Sequence, residues 1–237
     1  MKLSESLASR DERFTNTVIQ MMRSQSYREL VAAQMFGYGL QFVPDRKLLK
    51  FMAWHVQEET THYIDVAKLY EKHVGESVEP WVHARIAQKP MTFAESWLEL
   101  AIAQWLYDRG GFWQLQEYEE CSWEPYQTIV EKIIKEERGH QDLGQKYAVE
   151  LCKELDDMTE AQGMFNKWLK QGLLSFGRPK TEGNEYAISV GLKKRDSGEV
   201  MKDFMLDVFP AIREAGLQLP PIESLGMEFP DDIPWEL

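Results

Sequence analysis

An all-α fold is predicted by three observations. Apolar and acidic positions recur every three or four residues in four long segments, which is the spacing of one helix face. No alternating apolar and polar run is long enough to indicate a strand. Turn residues separate the segments, and the three separators are Val43-Pro44-Asp45, residues 75–90 and Cys121-Ser122-Trp123-Glu124-Pro125.

Each helix has its own stripe of core positions. The stripes run from Met22 to Leu40, from Met52 to Leu69, from Leu98 to Leu115 and from Val130 to Leu151. Short turns join the first helix to the second and the third to the fourth, and a longer connection joins the two pairs. Two antiparallel helical hairpins with one long crossover are typical of a ferritin-like four-helix bundle.

The pattern changes from about Met158 onward. One amphipathic helix is expected from Phe165 to Phe176, followed by a loop rich in Gly, Pro and Lys, and then by shorter helices and an extended tail. We therefore expect residues 1–157 to form the bundle. Residues 158–237 are expected to form a helical extension packed on it.

Composition limits the class of partner. The chain has 237 residues, 43% of them hydrophobic, and a formal net charge of -12, which argues against nucleic acid or an anionic membrane as the main partner. Cys121 and Cys152 form no CxxC pair, which indicates a reducing compartment. The first residues contain no apolar signal segment, and the most apolar stretch is too short to span a bilayer. The sequence therefore predicts a cytoplasmic protein.

Acidic residues occupy core positions in all four stripes. A buried carboxylate is costly unless it is paired, hydrogen-bonded or bound to metal. Glu59 and Glu137 are each followed three residues later by a histidine, His62 and His140, which shares their helix face. One such ExxH motif is weak evidence and is more often a surface pair. Here the two motifs use two of the five histidines in the chain.

The upstream acids, Glu29 and Asp108, strengthen this interpretation. Two residues of an antiparallel hairpin lie at one height when they are equidistant from its turn. The midpoint of Glu29 and Glu59, and that of Asp108 and Glu137, each fall inside one of the short turn segments. The acids and imidazoles of both hairpins are therefore expected to converge at one level of the bundle.

The third helix offers two other acids, Glu95 and Glu99. Pairing Glu99 with Glu137 places the midpoint in a stretch without turn residues, and Glu95 fails by more. Glu99 is also out of phase with the apolar stripe, so the sequence favours Asp108. The glycines shortly after it, Gly110-Gly111, could mark a π-bulge, leave room for a substrate, or allow close helix packing.

The ligand chemistry suits two iron ions, with manganese as an alternative. Carboxylates and imidazoles favour these metals, and the absence of nearby thiolates argues against structural zinc. A Glu together with an ExxH motif on paired helices is the pattern of dinuclear carboxylate bundles. The predicted metal ligands and catalytic residues are Glu29, Glu59, His62, Asp108, Glu137 and His140.

Longer segments carry a family resemblance. They are HVQEETTHYIDVA around Glu59, WLYDRGGFWQL around Asp108, IIKEERGHQDLG around Glu137, and LLSFGRPKTEGNEYAISVGLKKR in the extension. In these the sequence resembles the phenylacetic acid catabolic protein family, which includes the catalytic subunit of phenylacetyl-CoA epoxidase, a ferritin-like di-iron monooxygenase. The family's ligand pattern falls on the same six residues.

The resemblance implies a function. The expected activity is that of a di-iron monooxygenase subunit that activates O2 and inserts one oxygen atom into an aromatic or other acyl-CoA substrate. The chain has no flavin, Fe–S or nicotinamide motif, so electrons would come from a separate reductase. A homo-oligomer, or a hetero-oligomer with a related subunit, is expected.

Alternatives from other classes remain open at this stage. One is an iron or peroxide handling protein of the ferritin or rubrerythrin kind, and another is a non-catalytic scaffold subunit. The extension also holds a basic cluster that could bind the phosphates of coenzyme A, dock a partner, or simply be solvated. Its members are Arg178, Lys180, Lys193, Lys194 and Arg195.

Overall fold

The architecture is all-helical. The computed structural model describes residues 2–89, 91–137 and 139–236, and this part of the chain contains no strand. The all-α class is confirmed, and the helix pairs are consistent with a ferritin-like helical bundle. In chain order the α-helices are α1 (Glu5–Ala8), α2 (Glu12–Gly39), α3 (Arg46–Val74), α4 (Glu79–Gln88), α5 (Trp97–Ala103), α6 (Arg109–Gln116), α7 (Glu124–Glu137), α8 (His140–Lys153), α9 (Thr159–Leu174), α10 (Glu182–Ser189) and α11 (Ser197–Glu214).

The chain divides into two compact units. The first contains residues 1–94 and 122–133, and the second contains residues 95–121 and 134–237. The expected division into residues 1–157 and 158–237 stays a prediction. The C-terminal helices α9 and α11 belong to the second unit and pack there against the helices on either side of residues 104–108.

The first unit is built on the antiparallel pair of α2 and α3. Arg23 Nε donates to Tyr70 Oη at 3.1 Å, and the rings of Phe36 and His55 lie 4.3 Å apart. Both pairs are centred close to residue 46, so α2 and α3 run antiparallel from the turn that the sequence predicts. Asp45 begins α3, because its carboxylate accepts from the backbone N–H groups two and three residues further along, at 2.7 Å and 3.0 Å.

Gly75 ends α3. Its φ of +78° lies in the left-handed region, and its N–H donates to Glu71 O. A Cβ at residue 75 would lie 2.7 Å from the backbone oxygen of Lys2. Only glycine therefore fits here, both for the backbone conformation and for the close approach of the N-terminal segment.

The second unit is built on a helix with a π-helical turn. Residues Gln104–Asp108 form this turn between α5 and α6, and α5 and the turn pack against α8. The rings of Trp97 and Tyr147 lie 5.6 Å apart, and the guanidinium of Arg109 donates to Gln145 at 2.7 Å. These pairs are centred between residues 122 and 127, which makes the second pair antiparallel as well.

The structure differs from the expected elements in two places. The fourth helix is not continuous through residues 130–151, because α7 ends at Glu137 and α8 begins at His140. Gly139 lies in a turn there, and glycine is a poor helix former, while Arg138 lies outside the described residues. Within the expected long connection, residues Glu79–Gln88 form α4, which packs on α2.

The third helix also ends earlier than its sequence suggests. Residues 117–120 form a turn although they include no Gly, Pro, Asn or Asp. The cause is a tertiary contact, because the buried carboxylate of Glu117 accepts from Arg195 N, Nε and Nη2 at 2.9–3.1 Å. A contact across 78 residues of sequence thus sets this boundary.

Two further sequence expectations concern the membrane and the cysteines. Among the described residues, the helices are all too short or too polar to cross a bilayer. Cys121 and Cys152 are both buried, and neither takes part in a disulfide.

Candidate metal centre

The first unit brings three of the expected ligands together. Glu29 on α2 and Glu59 and His62 on α3 are buried, with exposed fractions of 5%, 3% and 0%. One ligand atom from each of the three lies within 4.8 Å of the others. His62 Nδ1 is 3.5 Å from Glu29 Oε2. The antiparallel register of α2 and α3 produces this meeting, since Glu29 and His62 are equidistant from the turn between them.

Two further polar side chains lie against this group. Gln25 Nε2 donates to Glu29 Oε1 at 2.5 Å, and His55 Nε2 lies 3.0 Å from Glu59 Oε1. His55 belongs to no ExxH motif, so that motif does not indicate it. Its spacing of four residues from Glu59 was the signal that could have found it, because i and i+4 share a helix face.

The second unit brings Glu137 and His140 together. Both are buried, and His140 Nδ1 lies 3.1 Å from Glu137 Oε2. The two residues lie on different helices, at the end of α7 and the start of α8. Their contact therefore does not depend on one continuous helix, as the ExxH spacing had implied.

Asp108 is the last residue of the π-helical turn and is also buried. In the described part of the second unit, Asp108 is not close enough to Glu137 and His140 for one ligand atom from each of the three to lie within 4.8 Å of the others. The role of Asp108 as a ligand stays a prediction. π-Helical turns are frequent at functional sites.

The π-helical turn is enclosed by two glycines of neighbouring helices. A Cβ at Gly144 of α8 would lie 2.5 Å from Trp105 N, and a Cβ at Gly172 of α9 would lie 2.5 Å from Leu106 O. Any side chain at these two positions would push the turn away. The helix backbones can approach the residues before Asp108 only because both positions are glycine.

The pair Gly110-Gly111 has two different environments. A Cβ at Gly110 would lie 2.7 Å from Gly172 O, so this glycine serves close helix packing. A Cβ at Gly111 would have no neighbour within 4 Å. The π-helical turn ends at Asp108, two residues before Gly110, instead of lying at the pair. Of the three explanations that the sequence allowed, close packing holds for Gly110.

Arg109, the residue after Asp108, is a buried cation with several acceptors. It donates to Asp207 of α11 at 2.8 Å, to Asp142 of α8 at 3.2 Å, and to Gln145 at 2.7 Å. These charge-assisted bonds tie the start of α6 to two other helices. The C-terminal extension thus contributes Asp207 and Gly172 to the surroundings of Asp108.

Glu99 is buried, although its phase in the sequence suggested otherwise. Its Oε1 accepts from Lys167 Nζ at 2.6 Å and from Trp168 Nε1 at 3.1 Å, and its Oε2 accepts from the backbone of Glu95 at 2.8 Å. Helix α9 of the extension covers this face of α5, which the local pattern does not reveal. Both oxygens of Glu99 are engaged in structural contacts, one of them an ion pair.

Much of the basic cluster of the extension is neutralised by acids. Arg195 pairs with Glu117 and Asp203, and Lys194 lies 3.3 Å from Glu119. Lys193 is buried and donates to Asn184 Oδ1 and Ser197 Oγ. A nearby cavity of about 390 Å³ is lined by acids as well as cations: Lys180, Lys194, Arg195, Lys202, Asp196, Glu199 and Asp232. These contacts give no support to a coenzyme A phosphate site in the cluster.

The three ligand candidates of the first unit fit a metal ion. Two carboxylates that lie close together are costly to bury, and a bound cation removes that cost. The set offers oxygen and imidazole nitrogen donors, which suit iron or manganese. The fold and these buried groups define an all-helical protein of ferritin-like type with a candidate metal centre.

The comparisons with known proteins identify the family. The family described as phenylacetic acid catabolic protein matches residues 68–228, well over half of the chain, and the chain belongs to it. A relative from Escherichia coli (strain K12) is one of the subunits of 1,2-phenylacetyl-CoA epoxidase. The two are 23% identical over 231 residues, which cover 92% of this chain and 70% of the relative.

Proposed function

We propose that this protein is the oxygenase subunit of a multicomponent enzyme that inserts one atom of O2 into an aromatic or other acyl-CoA. The observation that carries the proposal is the buried group of Glu29, Glu59 and His62, with ligand atoms within 4.8 Å of one another. Membership of the family and the name of the E. coli relative support the class of substrate.

The proposed ligand set is the one that the sequence predicts: Glu29, Glu59, His62, Asp108, Glu137 and His140. Four carboxylates and two imidazoles would hold two iron ions, with manganese as the alternative metal. When bound, the ions would supply the redox chemistry with O2.

The chain itself would bind the metal ions, orient the substrate and exclude water. The helix pair of α2 and α3 keeps Glu29, Glu59 and His62 away from solvent, which strengthens their interaction with a cation. The overall change combines the substrate, O2, two electrons and two protons to give the oxygenated substrate and water. A separate reductase would supply the electrons, and assembly with further copies or a related subunit would complete the enzyme.

The first experiment measures metal. The metal-free protein is incubated with Fe(II) without oxygen, desalted, and analysed for iron per chain, with an expected value of about two. The variants Glu29→Ala and His62→Ala should retain less iron. Glu71→Gln, an exposed residue of α3, serves as the control and should match the natural protein.

The second experiment tests oxygen transfer in a single turnover. The iron-loaded, reduced protein already holds two electrons, so it needs no reductase for one cycle. It is mixed with phenylacetyl-CoA and ¹⁸O2, and mass spectrometry of the acyl-CoA should show one ¹⁸O atom. Consumption of peroxide without oxygen transfer would favour the iron or peroxide handling alternative. Less than about half an iron per chain would favour a scaffold.

A further inference from the structure

Two buried polar side chains each lie one helical turn before a proposed ligand of the first unit. Gln25 precedes Glu29 on α2, and His55 precedes Glu59 on α3, each by four residues. We infer that His55 and Gln25 are positioning residues, each of which holds one oxygen of a ligand carboxylate so that the carboxylate faces the metal. This inference rests on the proposed metal centre and names two residues outside its ligand set.

The imidazole of His55 is fixed in place by its neighbours. Its side chain is fully buried, and its Nε2 lies 3.0 Å from Glu59 Oε1. A metal-binding Glu59 would be ionised and could only accept, so the ring Nε2–H would donate in this contact. The ring packs against Phe36 of α2, with centroids 4.3 Å apart and planes inclined by 36°. Both helices of the pair therefore fix the direction in which His55 donates.

Gln25 makes the matching contact on the other helix. Its buried amide donates to Glu29 Oε1 at 2.5 Å, while Glu29 Oε2 lies 3.5 Å from His62 Nδ1. One oxygen of Glu29 is therefore held by Gln25, and the other is directed toward the imidazole that would share the metal. His55 engages one oxygen of Glu59 in the same manner.

The physical effect is preorganisation. The terminal torsion of a glutamate is broad, so a carboxylate without a partner samples many orientations. A hydrogen bond to one oxygen limits this freedom before the metal arrives and keeps the buried acceptor satisfied. Partners of this kind typically change metal affinity by about 10–100-fold when they are removed.

The test replaces His55 in two ways. His55→Leu removes the donor, whereas His55→Gln can present an N–H near the position of Nε2. The metal-free proteins are titrated with Co(II), and the dissociation constant and bound equivalents are read from its visible absorption. We expect about 10–100-fold weaker binding in His55→Leu and recovery of most of this loss in His55→Gln. His83→Gln, on exposed α4 surface, should match the natural protein.

A second variant covers the case in which His55→Leu does not fold. Gln25→Leu should weaken Co(II) binding in the same direction, with exposed Gln20→Leu on the same helix as its control. Natural affinity in His55→Leu or in Gln25→Leu overturns the role of that residue. Equal weakness in His55→Gln and His55→Leu overturns the role of the hydrogen bond. Absence of Co(II) and Fe(II) binding by the natural protein overturns the proposed function, and this inference with it.

Discussion

Gly144 of α8 lies so close to Trp105 that a Cβ on residue 144 would be 2.5 Å from the Trp105 backbone nitrogen. The same relationship holds between Gly172 and Leu106 O. These two contacts fix the π-helical turn that ends at Asp108. Because the neighbouring atoms belong to the backbone, they cannot move aside as a flexible side chain would.

We expect Gly144→Ala and Gly172→Ala to destabilise the protein. Overpacking in a close-packed region costs about 1–3 kcal/mol, and backbone neighbours place these two at the upper end of that range. Gly111→Ala is the control, because its Cβ would have no neighbour within 4 Å. It should leave the free energy of unfolding unchanged or raise it by up to about 1 kcal/mol. Urea denaturation measures the free energy of unfolding of the three variants. An unchanged value in Gly144→Ala would contradict the close approach of Gly144 to Trp105.

Asp108 and Glu99 should respond differently to replacement. Asp108→Asn keeps the shape of the side chain but weakens a metal ligand, so we expect less iron per folded chain. Glu99→Gln removes a charge from the ion pair with Lys167, so we expect a stability loss of about 1–3 kcal/mol and unchanged iron content. Elemental analysis and denaturation of the same preparations separate the two effects. If Glu99→Gln lost iron and Asp108→Asn did not, Glu99 would be the ligand and Asp108 would not.

Arg195 should stabilise the turn of residues 117–120. Arg195→Ala leaves the carboxylate of Glu117 buried without its main partner, although Arg195 itself is partly exposed. We expect a loss of about 2–3 kcal/mol in the free energy of unfolding. Arg195→Lys should recover only part of it, since lysine has one side-chain nitrogen where Arg195 donates from both Nε and Nη2 to Glu117 Oε1. Equal stability of the alanine variant and the natural protein would show that the turn forms without this contact.

His73 should make stability fall at acid pH. Burial, and to a smaller extent Lys72, lower the pKa of His73 below its usual value of 6.5. The unfolded chain therefore binds a proton more readily than the folded one. The stabilising effect of a neutral His73 is complete above pH 6.5 and is lost as the pH falls through the lowered pKa. Its Nδ1 lies 2.8 Å from Ser4 Oγ, so the N-terminal segment should loosen as well.

The measurement is the free energy of unfolding between about pH 7.5 and pH 5 for the natural protein and for His73→Gln. The other histidines are the same in both proteins, so the difference between the two curves isolates His73. We expect the free energy of unfolding to depend less steeply on pH in His73→Gln than in the natural protein. Parallel curves would show that His73 does not contribute.

The sequence correctly predicted those features that depend on neighbours along the chain. The spacing of apolar residues indicated the helices, and Pro44 and Asp45 marked the first turn, because helix periodicity and turn chemistry act over a few residues. The same spacing singled out Glu29, Glu59 and His62 as core positions, and the structure places them together. The ExxH motif does not indicate His55, which lies four residues before Glu59 and contacts it.

Tertiary contacts decided the rest. Glu99 is buried because Lys167 and Trp168 reach it from a helix 68 residues further along the chain, and the third helix ends at Gln116 because Arg195 holds Glu117. Local periodicity carries no information about such partners, since they meet only when distant helices pack. The sequence by itself determined the all-α class and the candidate ligands. Packing alone decided which buried acids pair with cations of this chain, as Glu99 does with Lys167.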